Sequence, residues 1–174
     1  MAGLDKSVHL FILILIAVIG NSLIHLVSMK KIQGILFFAL SFYFSAAQND
    51  KQKEVVAIKE ARTASNKAIA AHDVDRISRY WLNDFVQVRG NASHLTGRDT
   101  IVASWKQLFN ENPKVGYIRN PDEIIISDND TLAWETGKWI GINSYSKGGN
   151  YSAMWRKANG EWKIQAELFV ALKN

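Results

Sequence analysis

The chain has 174 residues, 48% of them apolar, a formal charge of +5 and no cysteine. That length suits one domain plus a targeting segment. The missing cysteines exclude disulfides, thiolate nucleophiles and cysteine-held metals together.

Two apolar stretches open the chain, at 8–28 and 32–47. The second has the layout of a signal peptide: a basic start at Met29-Lys30-Lys31, an apolar core from Ile32 to Phe44, and small residues at Ser45-Ala46-Ala47. On this reading 29–47 is the signal, Met29 is the initiator, and 1–28 is an over-long reading of the gene. Cleavage after Ala47 leaves Gln48 as the new N-terminus. The other reading makes Val8–Val27 a membrane span, long enough to cross a bilayer although His9, Asn21 and His25 interrupt it. Lys30 and Lys31 would then stay on the cytoplasmic side. Either way, 48–174 is expected to be exported from a bacterial cell. It is then periplasmic or secreted, or held at the membrane only by an uncleaved N-terminal segment. Setting aside Lys6, Lys30, Lys31 and Asp5 leaves 48–174 at +3, with the charges interspersed. Without a basic stripe, nucleic acid is not an expected partner.

Asp50 to Ala71 reads as a helix with Val55, Ile58, Arg62, Ser65 and Ile69 along one side. His72-Asp73 breaks it, and Asp73 is a suitable N-cap for a short helix from Val74 to Trp81. Asp84 to Arg89 is a strand and Gly90 to Leu95 a loop. Thr96 and Asp99 resemble a capping box opening a third helix. Ile101, Trp105, Leu108 and Phe109 give that helix its apolar side, and Pro113 ends it. Strands are expected at Lys114–Asn120, Asp122–Ser127, Thr131–Ser144, Tyr151–Lys157 and Glu161–Leu172. Pro121 separates the first two, Lys147-Gly148-Gly149 forms a loop, and Asn159-Gly160 is a strong hairpin signal. Alternation in the last strand sets Trp162, Ile164, Ala166, Leu168, Val170 and Leu172 on one face, with Glu167 opposite. Helices followed by strands predict an α+β domain with helices on one face of a mostly antiparallel sheet.

The chain resembles the nuclear transport factor 2-like superfamily, which includes SnoaL-like proteins and ketosteroid isomerase. The resemblance lies in Ala-Ala-His-Asp-Val-Asp (70–75), Asn-Asp-Phe-Val (83–86) and Thr-Gly-Arg-Asp-Thr-Ile (96–101). It continues in Ala-Trp-Glu-Thr-Gly-Lys-Trp (133–139) and Tyr-Ser-Ala-Met-Trp-Arg-Lys-Ala-Asn-Gly-Glu-Trp-Lys-Ile (151–164). Within the superfamily, the chain is most similar to the branch called domain of unknown function 4440. The resemblance implies a cone-shaped, cystatin-like fold over 48–174, with three helices on a bent sheet and a homodimer formed across that sheet. His72 departs from the family's usual Gly, at a site that wants a left-handed residue. The isomerase's oxyanion-hole Tyr and Asp and its base Asp fall on Ser65, Ala153 and Arg89, so the resemblance argues against that chemistry here.

The candidate ligand-binding residues are Phe85, Arg89, Trp105, Tyr117, Trp134, Tyr151 and Trp155. The resemblance places Arg89 and Ala153 toward the cavity, and strand parity carries Phe85, Tyr151 and Trp155 with them. Arg89 could hold a carboxylate or phosphate, and an aromatic wall suits a small apolar ligand. The competing expectation is that the aromatics only fill the core and that Arg89, at the strand end, reaches solvent or pairs with an acid. His72 and His94 lack any metal-ligand spacing, so neither metal nor cofactor is expected. Glu135 and Glu167 are expected to pair with a Lys or Arg across the sheet, or to meet a second copy. The leading reading is a domain binding a small apolar or anionic molecule. The alternatives are an isomerase- or hydrolase-like enzyme whose groups are not recognisable, and a dimeric interaction module without a ligand.

Overall fold

The computed structural model describes residues 50–172. The readings made for 1–47 lie outside that range. Helix α1 covers 50–70. It is followed by α2 (Val74–Ser78), β1 (Trp81–Val88), β2 (His94–Thr96), α3 (Arg98–Glu111), β3 (Gly116–Ile126), β4 (Leu132–Ile142), β5 (Gly148–Ala158) and β6 (Glu161–Ala171). The strands form one six-stranded sheet in the order β2-β1-β6-β5-β4-β3. Only the β1–β6 pair is parallel. The expected α+β class and cystatin-like architecture are therefore present.

Ile58, Arg62, Ser65, Ala68 and Ile69 are the buried stripe of α1, the 3.6-residue pattern of a helix laid on a core. Asp73 caps α2, its carboxylate accepting from the Arg76 N–H at 2.9 Å. His72 has φ 54°, the left-handed conformation that the break between α1 and α2 demands. It stays there because its ring stacks on Phe109 with centroids 4.0 Å apart and Nε2 meets the Val115 carbonyl at 2.8 Å. Asn159 and Gly160, at φ 53° and 81°, close the last hairpin as their identities require.

The structure departs from the sequence expectations at several points. Trp81 opens β1 rather than ending α2, stacked on Phe85 with centroids 4.9 Å apart. Residues 94–96 form the short strand β2, because the turn after β1 folds them back on Val86–Val88. No capping box forms at α3. Gly97, at φ 88°, is the N-cap and no side chain caps the helix. Gly148 and Gly149 belong to β5, because both pair across the sheet.

The remaining differences come from β-bulges, where one extra residue reverses the alternation. Pro121 does not divide two strands. It lies inside β3 beside the extra residue Asp122, which is tolerated because β3 is an edge strand. In β6 the extra residue is Gln165. Trp162 and Ile164 face inward before it, whereas Glu167 faces inward after it and Leu168 and Val170 turn to the exposed outer face. A third irregularity lies between Trp81 and Val86 in β1. Together these bends curve the sheet around α1 and α3.

His72→Ala should cost about 2 kcal/mol in chemical denaturation, through the lost stack and hydrogen bond. His72→Gly should be the more stable of the two by about 1 kcal/mol, because glycine relieves the positive φ. Equal stabilities would show that backbone strain at this turn is negligible.

Candidate functional site

A cavity of about 490 Å³ opens between α3, the concave sheet face and the β4–β5 loop. Ile69 of α1, Trp105 and Leu108 of α3, Tyr117 of β3, Trp139 of β4 and Phe169 of β6 form its apolar wall. The rings are joined edge to face or tilted: Trp105 to Tyr117 at 5.8 Å, Tyr117 to Trp139 at 6.1 Å, Trp139 to Phe169 at 6.0 Å. Gln87, Arg89 and Asn91 at the end of β1, Arg119 of β3 and Ser144 and Ser146 of the loop supply polar groups. Tyr117 and Ser144 share a hydroxyl–hydroxyl bond of 3.2 Å.

Of the seven sequence-predicted residues, Arg89, Trp105 and Tyr117 line this cavity. Phe85, Tyr151 and Trp155 share the concave face but are sealed in the core beneath it, at 0%, 3% and 0% exposure. Large side chains at those positions fill the narrow part of the cone. Trp134 stands on the opposite face at 49% exposure, because Glu135 takes the inward position beside Ala153. Sequence reasoning missed Trp139 and Phe169. Trp139 shares inward parity with Glu135, a signal present in the sequence. Phe169 is inward only because of the bulge at Gln165.

Arg89 is half-buried. Its Nε donates to Gln87 Oε1 at 3.0 Å and its Nη2 to Ser104 Oγ at 2.8 Å. Among the described residues no carboxylate lies within ion-pair distance of it. Desolvation lowers its pKa, and the nearby Tyr117 only partly offsets this. The expected alternative, Arg89 paired with an acid, is therefore not what the described residues form.

Beside the cavity lies a buried quartet of charges. Arg62 donates through Nε to Glu135 Oε1 at 2.8 Å and through Nη1 to Glu167 Oε1 at 2.6 Å. Glu135 also accepts from the Tyr151 hydroxyl and from Trp155 Nε1, the latter at 2.5 Å. Arg119, a cavity-wall residue, reaches Glu167 Oε1 at 3.3 Å, Ser65 Oγ at 2.9 Å and Asn66 Oδ1 at 3.0 Å. All four charged residues are at most 2% exposed. Burial opposes the charge on Arg62, but Glu135 and Glu167 outweigh it and hold its pKa above the usual value. Burial, reinforced by the Arg62 charge, lowers Arg119 to about 10. Burial pushes the Tyr151 hydroxyl well above the usual phenol range, and Glu135 adds to the effect. Glu135 and Glu167 do meet Arg, but their common partner Arg62 lies on α1 rather than across the sheet, and only Glu167 also reaches an Arg on another strand, Arg119. Arg62 was legible only as a charge on an otherwise apolar helix face.

The three positions aligned with the isomerase's catalytic residues are occupied otherwise. Ser65 is fully buried under Arg119, Ala153 is a core residue, and Arg89 lines the cavity. A second depression, about 860 Å³, lies between α1, the α2–β1 junction and the β5–β6 hairpin. It is a more open and more polar groove, and its Lys157, Lys163 and Lys53 already pair with Glu54, Glu161 and Asp50.

Residues 58–167, more than half of the chain, match the SnoaL-like domain family. No curated protein matches the chain. Several solved structures are similar. One is a nuclear transport factor 2-like protein with a cystatin-like fold from Novosphingobium aromaticivorans (TM-score 0.62, 13% identity, 74% of this chain and 88% of that one). Another is a candidate scytalone dehydratase from the same organism (TM-score 0.60, 14% identity, 72% and 89%). A third is a candidate dehydratase of the same fold family from Streptomyces avermitilis (TM-score 0.57, 16% identity, 71% and 99%). Identities this low establish a shared fold and carry no chemistry across.

Removing one member of the quartet leaves a buried charge uncompensated, which typically costs 3–5 kcal/mol. Glu135→Gln should therefore lose about 3 kcal/mol in urea unfolding. Adding Arg62→Met should recover part of that loss. A loss under about 1 kcal/mol would mean that water reaches the quartet.

Proposed function

The chain belongs to the SnoaL-like family, and we propose that its cone binds a small, largely apolar molecule with a polar group at the Arg89 end. The observation that carries this reading is the 490 Å³ cavity, within the usual size of small-molecule sites, walled by aromatics and furnished with polar groups from β1, β3 and the β4–β5 loop. None of its lining residues is a carboxylate or an imidazole. The lining can therefore grip and orient a ligand by hydrogen bonds and ring contacts, while the usual side chains for proton abstraction are not part of it. For that reason binding is preferred to the isomerase- or hydrolase-like reading, although two structurally similar proteins are candidate dehydratases.

The neutral fluorescent probe phenylnaphthylamine should bind one-to-one, with a saturable rise in emission. Leu108→Trp, entering from α3, and Ser146→Trp, entering from the β4–β5 loop, should each reduce that binding by at least about tenfold. Undiminished binding in both filled variants would place the probe elsewhere and remove the cavity reading.

The proposal includes a homodimer. The outer face of β3, β4 and β6 exposes Ile118, Ile125, Trp134, Ile140, Leu168 and Val170, a grouping of apolar side chains of the kind that marks an interaction surface. Glu123 shares that face with Lys138 and Arg156, so a second copy related by a two-fold axis can bring opposite charges together around an apolar centre. Light scattering at tens of micromolar should read twice the protomer mass, and Trp134→Glu should return it to one. A monomeric mass for the unaltered protein would remove the dimer.

A further inference from the structure

The charges around the cavity do not balance, and the imbalance has a definite size. Arg89 and Arg119 are the charged residues on its wall. Arg119 belongs to the quartet, where two guanidinium groups and two carboxylates sum to zero. Its Nε, Nη1 and Nη2 are each engaged by protein acceptors. Arg89 has no such counterpart among the described residues. Two of its five N–H groups are spent on Gln87 and Ser104. Both Nη1 protons and one Nη2 proton are without a partner among those residues. The cavity therefore presents one uncompensated positive charge at one end of an apolar, ring-lined space.

A second donor supports the same conclusion. The indole N–H of Trp105, another wall residue, is buried with no acceptor among the described residues. Buried donors without acceptors are rare in finished interiors, so this one is suited to an acceptor that arrives with a ligand. Four aromatic rings, Trp105, Tyr117, Trp139 and Phe169, line the cavity, so an aromatic ligand would find ring faces and edges to pack against.

Resting on the small-molecule reading above, we infer that the cone selects a planar aromatic acid carrying a single negative charge, its carboxylate on Arg89 and its ring among Trp105, Tyr117, Trp139 and Phe169. A guanidinium with three free donors can take a carboxylate through two of them. A dianion would bring a second charge that the neutralised quartet does not attract. A neutral amide of the same shape keeps one acceptor oxygen, but its NH2 would meet the remaining donors with donors and leave the cation without its counter-charge.

Displacement of phenylnaphthylamine from the unaltered protein tests this without any substitution. Naphthoate should displace the probe at concentrations at least about tenfold lower than naphthamide, the scale of a charge-assisted hydrogen bond. It should also outcompete a naphthalenedicarboxylate. Arg89→Gln should make naphthoate and naphthamide equal, each read against the probe's own affinity for that variant. Equal displacement by naphthoate and naphthamide on the unaltered protein would overturn the inference and leave the cavity reading intact. A dicarboxylate that outcompetes naphthoate would overturn the single-charge assignment. Failure of the probe to bind at all would instead overturn the cavity reading, and this inference with it.

Discussion

The buried ion quartet is the constraint around which the domain is organised. Arg62 lies on α1, Arg119 on β3, Glu135 on β4 and Glu167 on β6, so one neutral cluster ties the long helix to three of the six strands. Each charge alone would be prohibitive at this depth. Together they are tolerable only if the geometry is kept, because a shift of α1 by one residue would turn Arg62 away and leave two buried carboxylates with Arg119 as their one cation. Burial of apolar area holds helix to sheet without preferring one register. The quartet supplies that preference. Tyr151 and Trp155, which a purely apolar core would also accept, complete the coordination of Glu135. This explains why they are core residues rather than cavity wall.

The shape of the cavity follows from the bulges. An ideal alternating β6 would have placed Leu168 and Val170 inward and Glu167 outward. The extra residue at Gln165 reverses that, bringing Glu167 under Arg62 and Phe169 to the wall. The extra residue Asp122 bends β3, and the proline next to it is harmless because its missing N–H lies on the sheet edge. The same two defects therefore curve the sheet, aim the carboxylate and set the ring. Without the bulge in β6, both the quartet and the aromatic wall would lose a member.

The sequence made the order and type of most elements legible. Apolar spacing on α1 and α3, the Asp73 cap and the Asn159-Gly160 turn are local signals, and each corresponds to an observed feature. The bulges were not legible, because an extra residue in a ladder is defined by its partner strand rather than by its own neighbours. Every error of facing in β6 follows from that, as does the division of β3 at Pro121. The site was half legible for a related reason. Arg89, Trp105 and Tyr117 sit on the wall, but parity alone does not say how deep in a tapering cone a residue lies, so Phe85, Tyr151 and Trp155 could not be told from wall residues. Trp134 was assigned by its type, although its own parity, opposite to Glu135, pointed outward. Arg62 was visible as a charge on an apolar stripe. Its partners are 73 and 105 residues away, beyond any local pattern.

The contrast between Arg89 and Arg119 shows how environment divides the work of one residue type. Arg119 is the more deeply buried, yet its charge is met by Glu167 and its donors by Ser65 and Asn66. Arg89 keeps partial contact with solvent, and its neighbours are neutral: a glutamine, a serine and a tyrosine. Residues that only stabilise a structure tend to be paired, whereas an unpaired, half-desolvated charge in a cavity is a local cost with no return in the empty protein. The proposed anionic ligand would recover that cost, because a ligand that binds only the folded state stabilises it in proportion to its occupancy. The quartet makes this arrangement workable. By being neutral it would keep the second arginine from competing for that anion, leaving Arg89 as the uncompensated charge on the cavity wall among the described residues.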